Sequence, residues 1–183
     1  MKETSYITFD LETTGLDIIE DEPIQIYLGA AWGKKGKIAD EFLALCYGDQ
    51  RISPGAQAVH GISWESLQAN GKPAHELTGE VSKFIWAHQP AILVGHNCLS
   101  FDFPMLQNWF SKYVVGRFKH APMCGILDTM HLANMVLGGR KWRKLDKLAK
   151  ELEIDLPEDL HDARTDGRLT WEICKVLLKG KRG

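Results

Sequence analysis

The chain has 183 residues, 44% of them apolar, with 22 basic against 24 acidic side chains and a net charge of −2. That is enough apolar content to bury one substantial core, and too little positive charge to hold a polyanion over the whole surface. No aliphatic run approaches a membrane span, the opening MKETSYITFD lacks the apolar stretch of a secretory signal, and Cys46, Cys98, Cys124 and Cys174 form no CxxC pair. The expectation is a cytoplasmic protein with reduced thiols and no membrane contact.

In chain order, Ser5–Glu12 reads as a strand with Ile7, Phe9 and Leu11 on one face and Tyr6, Thr8, Asp10 and Glu12 on the other. Ile24–Trp32 and Ile38–Tyr47 follow as a hairpin around GKKGK. A helix is expected from Pro73, with Leu77, Val81, Phe84 and Ile85 as its apolar stripe, ending before Pro90. AILVG is a short buried strand, DFPMLQNWFSKY a helix with Pro104 in its first turn, and GILDT a strand end. KLDKLAKELEI and the segment from Asp162 to Leu178 complete the helices, with Trp86 and Trp109 read as core. A hairpin followed by strands alternating with helices makes a mixed α/β sheet flanked by helices, one domain over 1–179 with a short basic end at 180–183.

Three places concentrate acid. Asp10 and Glu12 share a strand face, where two like charges beside apolar surface repel unless a cation lies between them. Asp102, ahead of Pro104, reads on its own as an N-cap before it reads as a ligand. His161 and Asp166 open the last helix in HDARTD, where an exposed histidine and a dipole-favoured acid are ordinary. Together they are four carboxylates at strand ends and a helix start, where ligand sites of mixed sheets gather. An all-oxygen set selects Mg²⁺ or Mn²⁺ over Zn²⁺. Two such ions about 3.5–4 Å apart clamp a phosphodiester for in-line attack by water, and a loop histidine can take the water's proton.

FDLETTG, HNCLSFD and HDARTD, in that order, resemble the three motifs of the DnaQ-like exonucleases of the DEDDh subgroup, with VHGIS, LDT and LDKLAKELEI as secondary matches. The resemblance implies an RNase H-like fold with a five-stranded mixed sheet and 3′→5′ removal of nucleoside 5′-monophosphates. It makes Asp10, Glu12, Asp102 and Asp166 the ligands of two divalent cations and His161 the general base. It also places Thr13, Thr14 and Gly15 on the terminal nucleotide, Leu16 as a wedge against the last bases, and His60 and Phe101 near the terminal base and sugar. Asn97 would fix the loop carrying Asp102.

Three residues separate HN from FD, where polymerase proofreading subunits usually have two. With the chain stopping soon after its last helix, this favours a stand-alone three-prime repair type of enzyme. The expected partner is an unpaired 3′ end of single-stranded nucleic acid, DNA before RNA, with the 2′-OH read by no motif here. The rival readings are an exoribonuclease or oligoribonuclease, a proofreading subunit, and a non-catalytic nucleic-acid-binding module. The oligomeric state is open, a homodimer included. GRKWRK, 139–144, sets cations around Trp142 and reads either as a solvated face or as a phosphate and base contact.

Overall fold

A computed structural model of the chain describes residues 3–114 and 123–180; the end of the expected basic tail, 181–183, lies outside them. Strands β1 (Ser5–Thr13), β2 (Pro23–Trp32) and β3 (Ile38–Tyr47) form an antiparallel meander. Two short helices follow, α1 (Pro54–His60) and α2 (Trp64–Asn70), then β4 (Lys72–Pro73) and α3 (Ala74–Ala87). The second half alternates as β5 (Ala91–Gly95), α4 (Asp102–Tyr113), β6 (Met123–Asp128), α5 (Thr129–Leu137), α6 (Leu145–Glu151) and α7 (Ala163–Lys179). The sheet order is β4-β3-β2-β1-β5-β6, with β5 and β6 parallel to β1.

Among the described residues the sheet therefore has six strands where five were expected. The extra one, β4, is a two-residue edge pairing of Lys72 and Pro73 with Cys46 and Tyr47. Pro73 has no N–H to donate, which an edge strand tolerates, and the helix expected from Pro73 begins one residue later.

Alternation along β1 sorts the layers. Ile7, Phe9 and Leu11, with Ile26 and Leu28 beside them, pack against Leu77, Val81 and Ile85 of α3 and Leu106 and Trp109 of α4. Each such side chain contributes roughly 1.5–3 kcal/mol on burial. Trp86, expected in the core, is half-exposed, because it follows Ile85 around the helix and points off the stripe. The opposite sheet face carries α7, whose Trp171 and Cys174 meet Ala31 and Val94. Leu169, Ile173 and Leu177 of α7 in turn join Ala133 of α5 and Leu148 of α6.

The strands have unequal lengths where it matters. β5 meets β1 only along Ser5–Thr8 and ends at Gly95, while β1 continues to Thr13 beside β2. The far half of β1 is thus open on its β5 side, and the loop that leads into α4 turns there.

Candidate active site

Asp10 and Glu12 lie on the open half of β1, opposite Tyr27 and Gln25 of β2, on the face covered by α7. Asp102 reaches the same place from the strand edge. Ser5 N–H donates to Pro90 O at 2.9 Å, so odd-numbered N–H groups of β1 point toward β5. Leu11 N–H, beyond the end of β5, faces the Asp102 carboxyl instead. Asp102 is the first residue of α4 and no N-cap: Phe101 holds the cap position and no side chain bonds back. Its carboxyl is buried and turned to β1.

α7 brings the fourth acid, and three contacts set its depth. Asp162 is the N-cap, its Oδ2 accepting from Thr165 N at 3.1 Å. Gln25 Oε1 accepts from Ala163 N at 3.1 Å, and Thr8 Oγ1 donates to Gly167 O at 2.8 Å. A Cβ on Gly167 would run into the ring of Tyr27, so only glycine lets the helix approach this closely. Asp166 sits between these two contacts, above Asp10 and Glu12. Tyr27 is itself held by a 2.5 Å hydrogen bond to Glu41, which also receives Arg168 Nε at 2.7 Å.

The acids press on one another. Burial first, then the charges of Asp102, Asp166, Glu12 and Asp162, push the Asp10 carboxyl well above its usual range. Burial and then Asp166, Asp102 and Asp162 push Glu12 up to about 8. Burial raises Asp102 to about 7, with Asp128 adding to the rise while its own N–H and that of Leu11 pull the other way. Asp166 is raised by burial, countered by neighbouring His161. Among the described residues no cation offsets Asp10 or Glu12, and Asp166 Oδ1 is buried with no hydrogen-bond partner. Among the described residues no three acid, histidine or cysteine groups close into a coordination shell; these carboxylates converge without touching. Their all-oxygen donors, uncompensated repulsion and orphaned Oδ1 fit hard divalent cations.

His161 is exposed beside this cluster, with φ of 71° in the left-handed region, just before the Asp162 cap. Thr13 and Thr14 are buried with their hydroxyls engaged inside the loop: Thr13 Oγ1 donates to Gly15 O at 2.7 Å, and Thr14 Oγ1 to Asp21 Oδ1 at 2.8 Å. Asp21 packs over Gly15, where a side chain would collide with it. The same loop presents Leu16, 85% exposed. His60 is half-buried beside Thr13; its Nδ1 accepts from Ile62 N at 3.0 Å, which puts the proton on Nε2. Phe101 is half-buried directly before Asp102.

Among the described residues Asn97 Oδ1 has no hydrogen-bond partner, and the side-chain bonds seen to hold the Asp102 loop come from another residue. Asp128 does that work. Its Oδ1 accepts from Asn97 N at 3.1 Å and Met130 N at 2.9 Å, and its Oδ2 from Leu99 N at 3.1 Å. One buried carboxylate thus caps α5 and clamps the turn into α4. Asp128, Asp162, Gln25 and Tyr27 were not singled out from sequence. The signals for the first two were an acid ending the strand in LDT and one opening the helix in HDARTD.

A family model described as Exonuclease matches residues 7–174. The DNA polymerase III PolC-type of Lacticaseibacillus paracasei is 31% identical over 177 residues, 95% of this chain but 11% of that protein. The chain thus spans about a tenth of the length of such relatives. Among solved structures, E. coli exonuclease I in complex with a dA16 oligonucleotide superposes with a TM-score of 0.79 at 19% identity, covering 98% of this chain and 41% of that one. The zinc ion bound form of the E. coli exonuclease I–ssDNA complex gives 0.80 at 21% identity, with 97% and 41% covered. These structures share the fold, a mixed sheet flanked by helices. The described residues include no helix long and apolar enough to cross a membrane.

Proposed function

Because this chain belongs to the exonuclease family, we propose that it hydrolyses phosphodiesters one at a time from unpaired 3′ ends of single-stranded DNA, releasing nucleoside 5′-monophosphates. The observation that carries this reading is the meeting of Asp10, Glu12, Asp102 and Asp166 from three distant segments, with His161 at the rim. Asp10, Glu12, Asp102 and Asp166 would hold two divalent cations, Mg²⁺ or Mn²⁺, which supply Lewis-acid stabilisation of the phosphoryl charge.

The chain's own groups do the remaining work. His161, exposed and next to the acids, accepts the proton of the attacking water. Leu16, projecting from a loop stiffened by Asp21, wedges against the terminal bases, and Phe101 and His60 border the terminal nucleotide. Thr13 and Thr14 act by shaping that loop, since their hydroxyls bond within it, and Gly15, buried beneath Asp21, lets it close that tightly. Apolar contacts of this kind grip a base without reading its edges, so little sequence preference is expected.

The oligonucleotides named with the exonuclease I structures favour DNA over RNA. A proofreading role is the second reading, favoured by the PolC-type relatives, whereas the spacing within HNCLSFD favours a stand-alone enzyme. The test uses matched DNA and RNA oligonucleotides labelled at the 5′ end, with free, blocked or circularised 3′ termini. A ladder of products shortened from the 3′ end is expected on free single-stranded DNA. Equal cutting of the circular or blocked strand would overturn the assignment.

A further inference from the structure

The basic run between α5 and α6 has an unusual construction. Arg143, at its centre, is buried with 5% exposure. Its Nε donates to Glu151 Oε2 at 2.9 Å, and its guanidinium also bonds Asn134 Oδ1 and Gly138 O. Lys141 N donates to the same Asn134 oxygen at 3.2 Å. The Arg143 carbonyl accepts from His96 Nε2 at 2.7 Å, while the other nitrogen of that ring faces Thr129 Oγ1 at 2.9 Å. His96 directly precedes Asn97, whose N–H is clamped by Asp128 in the turn to Asp102. The loop is therefore fixed to α5, to α6 and to the active-site end of β5.

What this frame holds up is left to solvent. Trp142 is 68% exposed, and Arg140, Lys141 and Lys144 around it are exposed. Among the described residues none of these three cations enters an ion pair. The polyanion that the proposed reaction requires meets a protein of net charge −2 whose site is a cluster of carboxylates. Attraction has to come from a local patch of the opposite sign. An aromatic plane flanked by cations is the combination that grips single strands without reading sequence.

We propose that the loop Gly139–Lys144 is a second binding subsite, where the strand 5′ of the terminal nucleotide stacks a base on Trp142 and lays its phosphates along Arg140, Lys141 and Lys144. The inference rests on the exonuclease reading: with the 3′ end at the carboxylates, the rest of the strand leaves the site on its 5′ side. His96 and Arg143 are positioning residues that keep the platform in register with the cleft. Long strands then bind through both subsites and very short ones through the terminal site alone.

The test compares dT3 and dT15, each labelled with fluorescein at the 5′ end, on wild type, Trp142→Ala and the double variant Lys141→Gln/Lys144→Gln. Trp142→Ala should raise KM for dT15 by about 5- to 150-fold, the worth of one stacked base, and leave kcat and the dT3 kinetics unchanged. The double variant should flatten the salt dependence of dT15 binding, by a slope of about 0.7 per cation removed. Fluorescence anisotropy of dT15 in excess chelator reads the same subsite without turnover, and should weaken in parallel. Loss of affinity for dT3 and dT15 alike, or for neither, would overturn the proposal. A wild type that binds dT15 through Trp142 yet shortens neither oligonucleotide would leave the subsite standing and remove the exonuclease reading instead. Tight binding of dT15 that ignores all three substitutions would leave the patch a solvated face.

Discussion

Thr8 donates its hydroxyl to the carbonyl of Gly167 at 2.8 Å across 159 residues of chain, and in doing so fixes the height of Asp166 above Asp10. Glycine at 167 makes that approach possible, since a methyl group there would enter the ring of Tyr27. Gly167→Ala should therefore lift the start of α7 and cost about 1–3 kcal/mol of stability through overpacking. Activity should drop further than that, by roughly 10- to 100-fold, because a displacement on the order of 1 Å spoils reacting geometry. Thr8→Val should cost less, about 0.5–1.5 kcal/mol for the lost hydrogen bond. Urea denaturation and turnover on a 5′-labelled oligonucleotide measure both; unchanged turnover in Gly167→Ala would show that the seat of α7 is not what positions Asp166.

Asp10→Asn should abolish turnover with the fold intact, because a neutral amide is a poor partner for hard cations. In chelator the same variant should melt at a higher temperature than wild type, since it removes one charge from the middle of the repelling cluster. A variant that kept most of its activity would remove Asp10 from the centre of the site.

Stability in chelator should depend on pH with a definite sign. Glu12 and Asp102 have folded-state pKa values raised to about 8 and about 7, so folding favours their protonated forms. Their contribution is fully present below the ordinary carboxylate range and is lost as pH climbs through those values. The melting temperature of Glu12→Gln, relative to wild type, should thus rise steadily from pH 5 to pH 8.5. Added Mg²⁺ should stabilise wild type more at pH 8 than at pH 5, because ligands must be deprotonated to bind. A difference between wild type and Glu12→Gln that stays flat with pH would contradict the buried, mutually repelling arrangement.

His161→Ala should lower kcat by roughly 10²–10⁴-fold, the usual share of a general base, while Mg²⁺ still raises the melting temperature as in wild type. Loss of the Mg²⁺ effect together with activity would make His161 a ligand rather than a base.

Much of this architecture was legible because apolar spacing was strong where burial was one-sided. β1 to β3, α3, α4 and α7 fall within a residue or two of their expected bounds, since each carries a clean stripe or alternation. α1 and α2, at seven residues each, are too short to print a stripe; α1 buries none of its residues and is defined by Ser53 and Gly61 at its ends. The two residues of β4 have no pattern at all. In the site, the acids that converge all lie within the three motifs read from the sequence. The residues that place them were not legible in that way. Asp128, Gln25 and Thr8 act through bonds to backbone groups 29 to 159 positions away, and no local spacing encodes such distances.

The early end of β5 has a consequence for the life of the protein as it folds. Asp10 waits on a half-sheltered strand until the chain has delivered Asp102 to the vacant edge and Asp166 from above. Those three segments meet only when α7, the last helix described, docks through Gln25 and Thr8. Because α7 buries Leu169, Trp171, Ile173, Cys174 and Leu177 against the sheet and the neighbouring helices, it should open only with the rest of the core, and activity should vanish on warming together with the β-sheet signal. The site is thus completed in the same step that closes the second face of the sheet.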